Sequence, residues 1–135
     1  MSSSRRKFIG TAAALAAGTV AASATPLTNM EKKYPVVHHV FFWLKNPDSK
    51  ADRDQLIEGI KGLKEIETVH KMHVGVQAST EKRDVVDVTW NVSELIYFED
   101  VAAQAIYQDH PIHVAFVKKY SSLWQKVVVY DVIEA

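Results

Sequence analysis

Cysteine is absent from the 135 residues, which excludes disulfides, thiolate metal sites, cysteine nucleophiles and an N-terminal lipidated cysteine. An excess of charge of either sign is lacking too, since Lys+Arg and Asp+Glu number 16 each. That balance hides an asymmetry. Arg5, Arg6 and Lys7 lie in the first ten residues and no acid precedes Glu31, so beyond residue 24 there are 13 bases against 16 acids. A mildly acidic body without basic clusters has no electrostatic footprint for nucleic acid, which is not an expected partner. What is present is ordinary: 47% hydrophobic and 24% charged residues point to a packed core, and the length suits one domain.

The N-terminus joins Ser4-Arg5-Arg6-Lys7-Phe8-Ile9 to a soft run rich in Ala and Gly from Thr11 to Ala22, closing on Ala22-Ser23-Ala24. The run is shorter and less apolar than the ~20 residues of a membrane span. Paired arginines, a moderate apolar stretch and a small-x-small cleavage site make residues 1–24 a twin-arginine signal peptide. The expected working place is the periplasm or outside the cell, with no membrane association after signal removal. Residues 25–35 read as an N-terminal arm and 36–135 as the folded domain.

From Val36 to Lys45 a near-continuous β-branched and aromatic run predicts a strand buried on both faces, with His38, Val40, Phe42 and Leu44 on one side and Val37, His39, Phe41 and Trp43 on the other. A small domain seldom covers both, so a second subunit is expected. After the Asn46-Pro47-Asp48 turn, Ser49 to Asp52 resembles a capping box. A helix then runs to about Glu67, with Leu56, Ile60, Leu63 and Ile66 on one stripe and Ile57 beside it. Val69 to Val76 predicts a second strand and Thr89 to Phe98 a third. In the third, Trp90, Val92, Ile96 and Phe98 share a face with Glu94, a carboxylate whose burial is costly unless it is paired. Short helices over 100–108 and from Pro111 to about Trp124 precede a last strand, Val127 to Ile133. The βαββαβ order is that of an α+β, ferredoxin-like fold with a four-stranded antiparallel sheet and helices on one face.

Tyr107-Gln108-Asp109-His110-Pro111-Ile112-His113 is the densest concentration of proton-carrying groups in the chain. Pro111 favours the first turn of a helix, which puts His110 at a helix junction and His113 one turn in. Read alone, the stretch is also an ordinary capped helix start. His39 falls on the opposite strand face from His38, and His70 and His73 are three apart on a strand and cannot chelate together. Trp43 and Trp90 read as core or interface residues.

Three segments together resemble the stress-responsive A/B-barrel (Dabb) family of the dimeric α+β barrel superfamily: His38 with the strand to Lys45; Phe98-Glu99-Asp100 through Tyr107 and His110-Pro111-Ile112-His113 to Phe116; and Tyr120 through Trp124 to Asp131. The resemblance implies a homodimer whose sheets close into a dimeric α/β barrel, and a small-molecule pocket between sheet and helices. Some members of the family are enzymes, including a plant polyketide cyclase that works without a metal. By that likeness His38, Tyr107 and His113 are catalytic candidates, and Val40, Phe42, Ile57, Ile60, Glu94, His110 and Trp124 are ligand-binding candidates. Glu94 departs from the apolar residue usual in the family, so the expected substrate is a small, polar carbonyl compound rather than one with an alkyl tail. No cofactor is expected. Three functions stay open: a metal-free lyase or isomerase, with His113 as base, Tyr107 as orienting or donating partner and His38 holding a substrate oxygen; a ligand-binding or structural dimer; and a His38, Glu94, His113 metal site.

Overall fold

A computed structural model describes residues 33–135; the expected signal peptide and residues 25–32 of the arm lie outside the described residues. Four strands and three helices alternate as β1 (Val36–Leu44), α1 (Lys50–Lys61), β2 (Lys71–Gly75), β3 (Val92–Phe98), α2 (Val101–Asp109), α3 (Pro111–Tyr120) and β4 (Trp124–Ile133). All neighbouring strands are antiparallel, in the order β2-β3-β1-β4. This is the ferredoxin-like α+β arrangement that the sequence predicts. No helix of the described residues is long and apolar enough to cross a membrane.

Each helix starts where a side chain can take a free backbone N–H. Ser49 accepts from Asp52 N at 3.1 Å for α1, Asp100 from Ala103 N at 2.7 Å for α2, and His110 Nδ1 from Ile112 N at 3.1 Å for α3, with Pro111 in its first turn. The stripe Leu56, Ile60, Leu63, Ile66 is wholly buried against Val40, Phe42, Leu44, Val92, Ile96 and Phe98 of the central strands. At ~1.5–3 kcal/mol per buried large aliphatic side chain, this layer is a leading source of stability.

Three expectations need correction. The helix predicted to Glu67 ends at Lys61 and tightens into a 3₁₀ turn over Gly62–Glu65, which turns Leu63 and Ile66 inward. The third strand begins at Val92, not Thr89. Asn91 breaks the alternation by donating its backbone N–H to Phe42 O at 2.8 Å and accepting from Leu44 N on Oδ1. Trp90 consequently leaves the Glu94 stripe and packs edge-on against Phe41, on the opposite face. Finally, the helix predicted to about Trp124 ends at Tyr120, and the last strand begins at Trp124, not Val127. On β1 the described residues of one chain cover Val37, His39, Phe41 and Trp43 only in part, the face for which the sequence expects a second subunit.

Two glycines of the α1 region differ in what they allow. A Cβ at Gly59 would stand 2.6 Å from the Tyr120 ring, whereas at Gly62, in ordinary right-handed backbone (φ −64°), it meets nothing within 4 Å. Gly62→Ala should therefore raise stability by up to about 1 kcal/mol through helix propensity. Gly59→Ala should lower it, because Tyr120 must be displaced. Urea denaturation of both variants measures the difference; equal gains would mean that Tyr120 does not hold its position.

Candidate functional site

The strand registers bring the site together. His38 lies opposite Ile96, and Val40 opposite Glu94, so His38 and Glu94 are diagonal neighbours on the helix-facing side of the sheet. Both are buried, at 4% and 2% exposure. The end of α2 lowers Tyr107 onto this pair, and the first turn of α3 adds His113. The phenol ring lies between the imidazoles, with centroids 5.6 Å from His38 and 4.7 Å from His113.

Tyr107 donates its hydroxyl to Glu94 Oε1 at 2.6 Å. Burial pushes the Glu94 carboxyl above the usual glutamate range; the Tyr107 hydrogen bond and the charge of His38 act the other way without cancelling it. The Tyr107 phenol is also driven up, by burial and then by the adjacent carboxylate, so it stays an O–H at any physiological pH. The Tyr107 hydroxyl proton is therefore committed to Glu94, while its ring packs against His113.

His38 is held from the other side. Its Nδ1 lies 2.5 Å from Asp131 Oδ1, directly across the β1–β4 ladder. A carboxylate at that nitrogen fixes the ring and leaves Nε2 for a ligand. His113 is half-buried; burial, reinforced by His38, lowers its pKa below the ordinary histidine value, against a hydrogen bond with the Gln108 backbone and the charge of Asp109. It is a neutral imidazole at neutral pH, able to accept a proton.

These groups line a cavity of about 320 Å³ between the sheet and α2–α3, with Val40, Phe42, Phe116 and Trp124 as its apolar wall and Val127 and Val129 on the β4 side. Of the residues expected from sequence, His38, Val40, Phe42, Glu94, Tyr107, His113 and Trp124 reach it. Ile57, Ile60 and His110 do not. Ile60 is fully buried in the core under α1 and Ile57 packs beside it. His110 has both ring nitrogens in use: Nδ1 caps α3, so Nε2 carries the proton and faces Glu67 Oε2 at 3.2 Å. The metal alternative is not assembled either. No group of three His, Asp or Glu side chains among the described residues takes up metal-ligand spacing, and His38 and Glu94 are turned to Asp131 and Tyr107.

Asp131 is the functional neighbour that sequence reasoning missed, and a signal for it existed. It is an acid on the otherwise apolar Val127, Val129, Ile133 stripe, just as Glu94 interrupts the stripe of β3.

The family model described as Stress Responsive A/B Barrel Domain matches residues 36–134. Among solved structures, the Arabidopsis thaliana protein At3g17210 is 27% identical, with a TM-score of 0.64 over 75% of this chain and 96% of its own. A hydroxynitrile lyase from Passiflora edulis is 22% identical, with a TM-score of 0.62 over 76% and 96% of the two chains. A dimeric protein of unknown function and ferredoxin-like fold from Bacteroides fragilis is 20% identical, with a TM-score of 0.59 over 76% and 99%. The last two likenesses bear on the fold alone. No protein of curated function matches significantly.

Because the folded-state pKa of Glu94 lies above its unfolded value, the native state holds a proton that the unfolded chain releases first. The associated stability is complete below the ordinary glutamate pKa and is lost as pH rises through the raised one. Glu94→Gln keeps the acceptor for Tyr107 and cannot ionise. Its stability curve, from denaturant unfolding at stepped pH, should lack this decline and rise above the wild type at the alkaline end. Curves that run parallel would contradict the assignment. Tyr107→Phe should cost about 1–3 kcal/mol in the same assay by stranding the buried carboxyl.

Proposed function

The chain belongs to the stress-responsive A/B barrel (Dabb) domain family, and from that premise we propose that it is an exported, homodimeric, metal-free enzyme of lyase or cyclase type acting on a small carbonyl compound. The observation that carries the reading is the convergence of His38, Glu94, Tyr107 and His113 on one cavity with an apolar wall. Such chemistry begins by removing a proton α to a carbonyl, which needs a base that is neutral at working pH. His113 is that base, kept unprotonated by burial. His38, held by Asp131, offers Nε2 to a polar group of the substrate. Phe42, Phe116 and Trp124 shield the reacting carbon from water. A cavity of about 320 Å³ suits a compact substrate.

Export is supported by Arg5-Arg6 and the Ala22-Ser23-Ala24 cleavage pattern. The homodimer is supported by the half-covered apolar face of β1 and by the dimeric state of the Bacteroides fragilis protein. The Passiflora edulis lyase supplies a precedent for lyase chemistry on this fold. A non-catalytic ligand-binding dimer is the second reading, favoured by the fact that the Tyr107 hydroxyl is already engaged by Glu94.

Acetophenone incubated with the mature protein in D₂O provides the test, with deuterium entry at the methyl carbon followed by proton NMR. The expected result is exchange above the buffer rate that falls by about 10²-fold or more in His113→Ala. Binding without exchange would select the non-catalytic reading, and an unaffected His113→Ala would remove His113 as base. Sedimentation at micromolar concentration should give twice the chain mass.

A further inference from the structure

The cavity holds a base but needs a proton donor for the carbonyl oxygen that becomes negative when the α proton leaves. Tyr107 O–H is spent on Glu94 Oε1. His113 has to receive a proton, not give one. His38 is tied to Asp131 through Nδ1, which anchors the ring on the β4 side. Glu94 remains. Its side chain is 2% exposed and lines the cavity, and Oε2 has no hydrogen-bonding partner among the described residues. Because Tyr107 donates to Oε1, the proton of a neutral Glu94 belongs on Oε2.

We propose that Glu94 is the catalytic acid of this pocket, donating from Oε2 to the carbonyl oxygen of the substrate while Tyr107 locks its other oxygen. The inference rests on the reading of the cavity as a proton-transfer site and adds to it a residue and a direction of transfer. The bookkeeping closes. The unengaged nitrogen of His113 takes the α proton, the C–H electron pair becomes the C=C bond, and the carbonyl π pair forms an O–H bond with the Glu94 proton. The products are an enol, an imidazolium and a carboxylate. Return of a proton from each partner in the reverse direction restores the starting state.

The surroundings agree with this division of labour. The titratable groups around Glu94 are His38 from β1, Tyr107 from α2 and His113 from α3, with Asp131 of β4 behind His38; its β2 neighbour, Val74, is apolar. Among the described residues, no lysine or arginine lines the cavity to hold the carboxylate ionised. Burial therefore favours the acid form of Glu94 and the base form of His113, which is the pairing that acid–base catalysis requires. The substrate class follows: a neutral aldehyde or ketone, because a carboxylate-bearing one would meet Glu94 as a like charge once the proton moves.

Two measurements test the proposal. Infrared difference spectra of wild type against Glu94→Gln at neutral pH should show the carbonyl band of a neutral carboxylic acid, shifted in D₂O. An ionised-carboxylate band instead would overturn the proposal without touching His113. In the acetophenone exchange assay, wild type should give a bell-shaped pH profile, rising as His113 loses its proton and falling as Glu94 loses its own. Glu94→Gln, whose amide still donates a hydrogen bond, should bind acetophenone within a few fold of wild type. It should lose about 10²-fold in exchange rate and lose the alkaline fall. Retention of rate and of the alkaline fall in Glu94→Gln would sink the acid role while leaving the base intact. Absence of exchange in wild type would overturn the acid role of Glu94 and the base role of His113 together.

Discussion

The hydrogen bond from Tyr107 to Glu94 is the constraint on which the site depends. A carboxyl at 2% exposure in the middle of β3 costs several kcal/mol to desolvate if it is charged and unpaired. The fold meets that cost with one phenol, delivered by the last turns of α2, and with a shift of the carboxyl toward its neutral form. Because Tyr107 must reach Glu94, α2 has to end where it does, and α3 has to begin at once to bring His113 over the same ring. The position of the His113 imidazole is thus a consequence of where the sheet places a carboxylate.

Pro111 and His110 make that abrupt turn feasible. Pro111 lacks an N–H and suits the first turn of α3. His110 ends α2, caps α3 through Nδ1 and reaches Glu67 through Nε2. An imidazole with both nitrogens occupied in this way serves position, not chemistry. On the sheet side, the β1–β4 pairing performs the matching task for His38 by setting Asp131 opposite it. Acids on two different strands thus bracket the histidine of the central one, one buried and one at the edge, with the Asp131 side chain 54% exposed. Burial turns the Glu94 carboxyl toward its neutral form.

Much of this was legible in the sequence because it depends on period. Alternation in β1 grouped His38 with Val40, Phe42 and Leu44, alternation in β3 grouped Glu94 with Val92, Ile96 and Phe98, and the 3.6-residue stripe of α1 identified its core. The expectations that missed did so where local chemistry overrides period. Asn91 turns Trp90 to the other face by capturing the backbone of β1. Gly62 opens a tighter turn that the stripe alone does not reveal. Ile57 and Ile60 share a helix with the core of β2 and β3, while the cavity lies under α2 and α3; spacing within α1 cannot report which part of the sheet it covers. Asp131 stands out locally only as an acid on an apolar stripe; its place beside His38, 93 residues away in sequence, depends on the β1–β4 register, which no local pattern contains.

The central claim is that a buried, short hydrogen bond between Tyr107 and Glu94 organises a proton-handling pocket. Proton NMR of the ligand-free protein reports on it most directly, because a phenolic proton between two oxygens 2.6 Å apart and shut away from water exchanges slowly and resonates far downfield. One such resonance should be present at neutral pH, disappear in Tyr107→Phe and move in Glu94→Gln. Its absence under conditions where the backbone of β3 is protected from exchange would contradict the account.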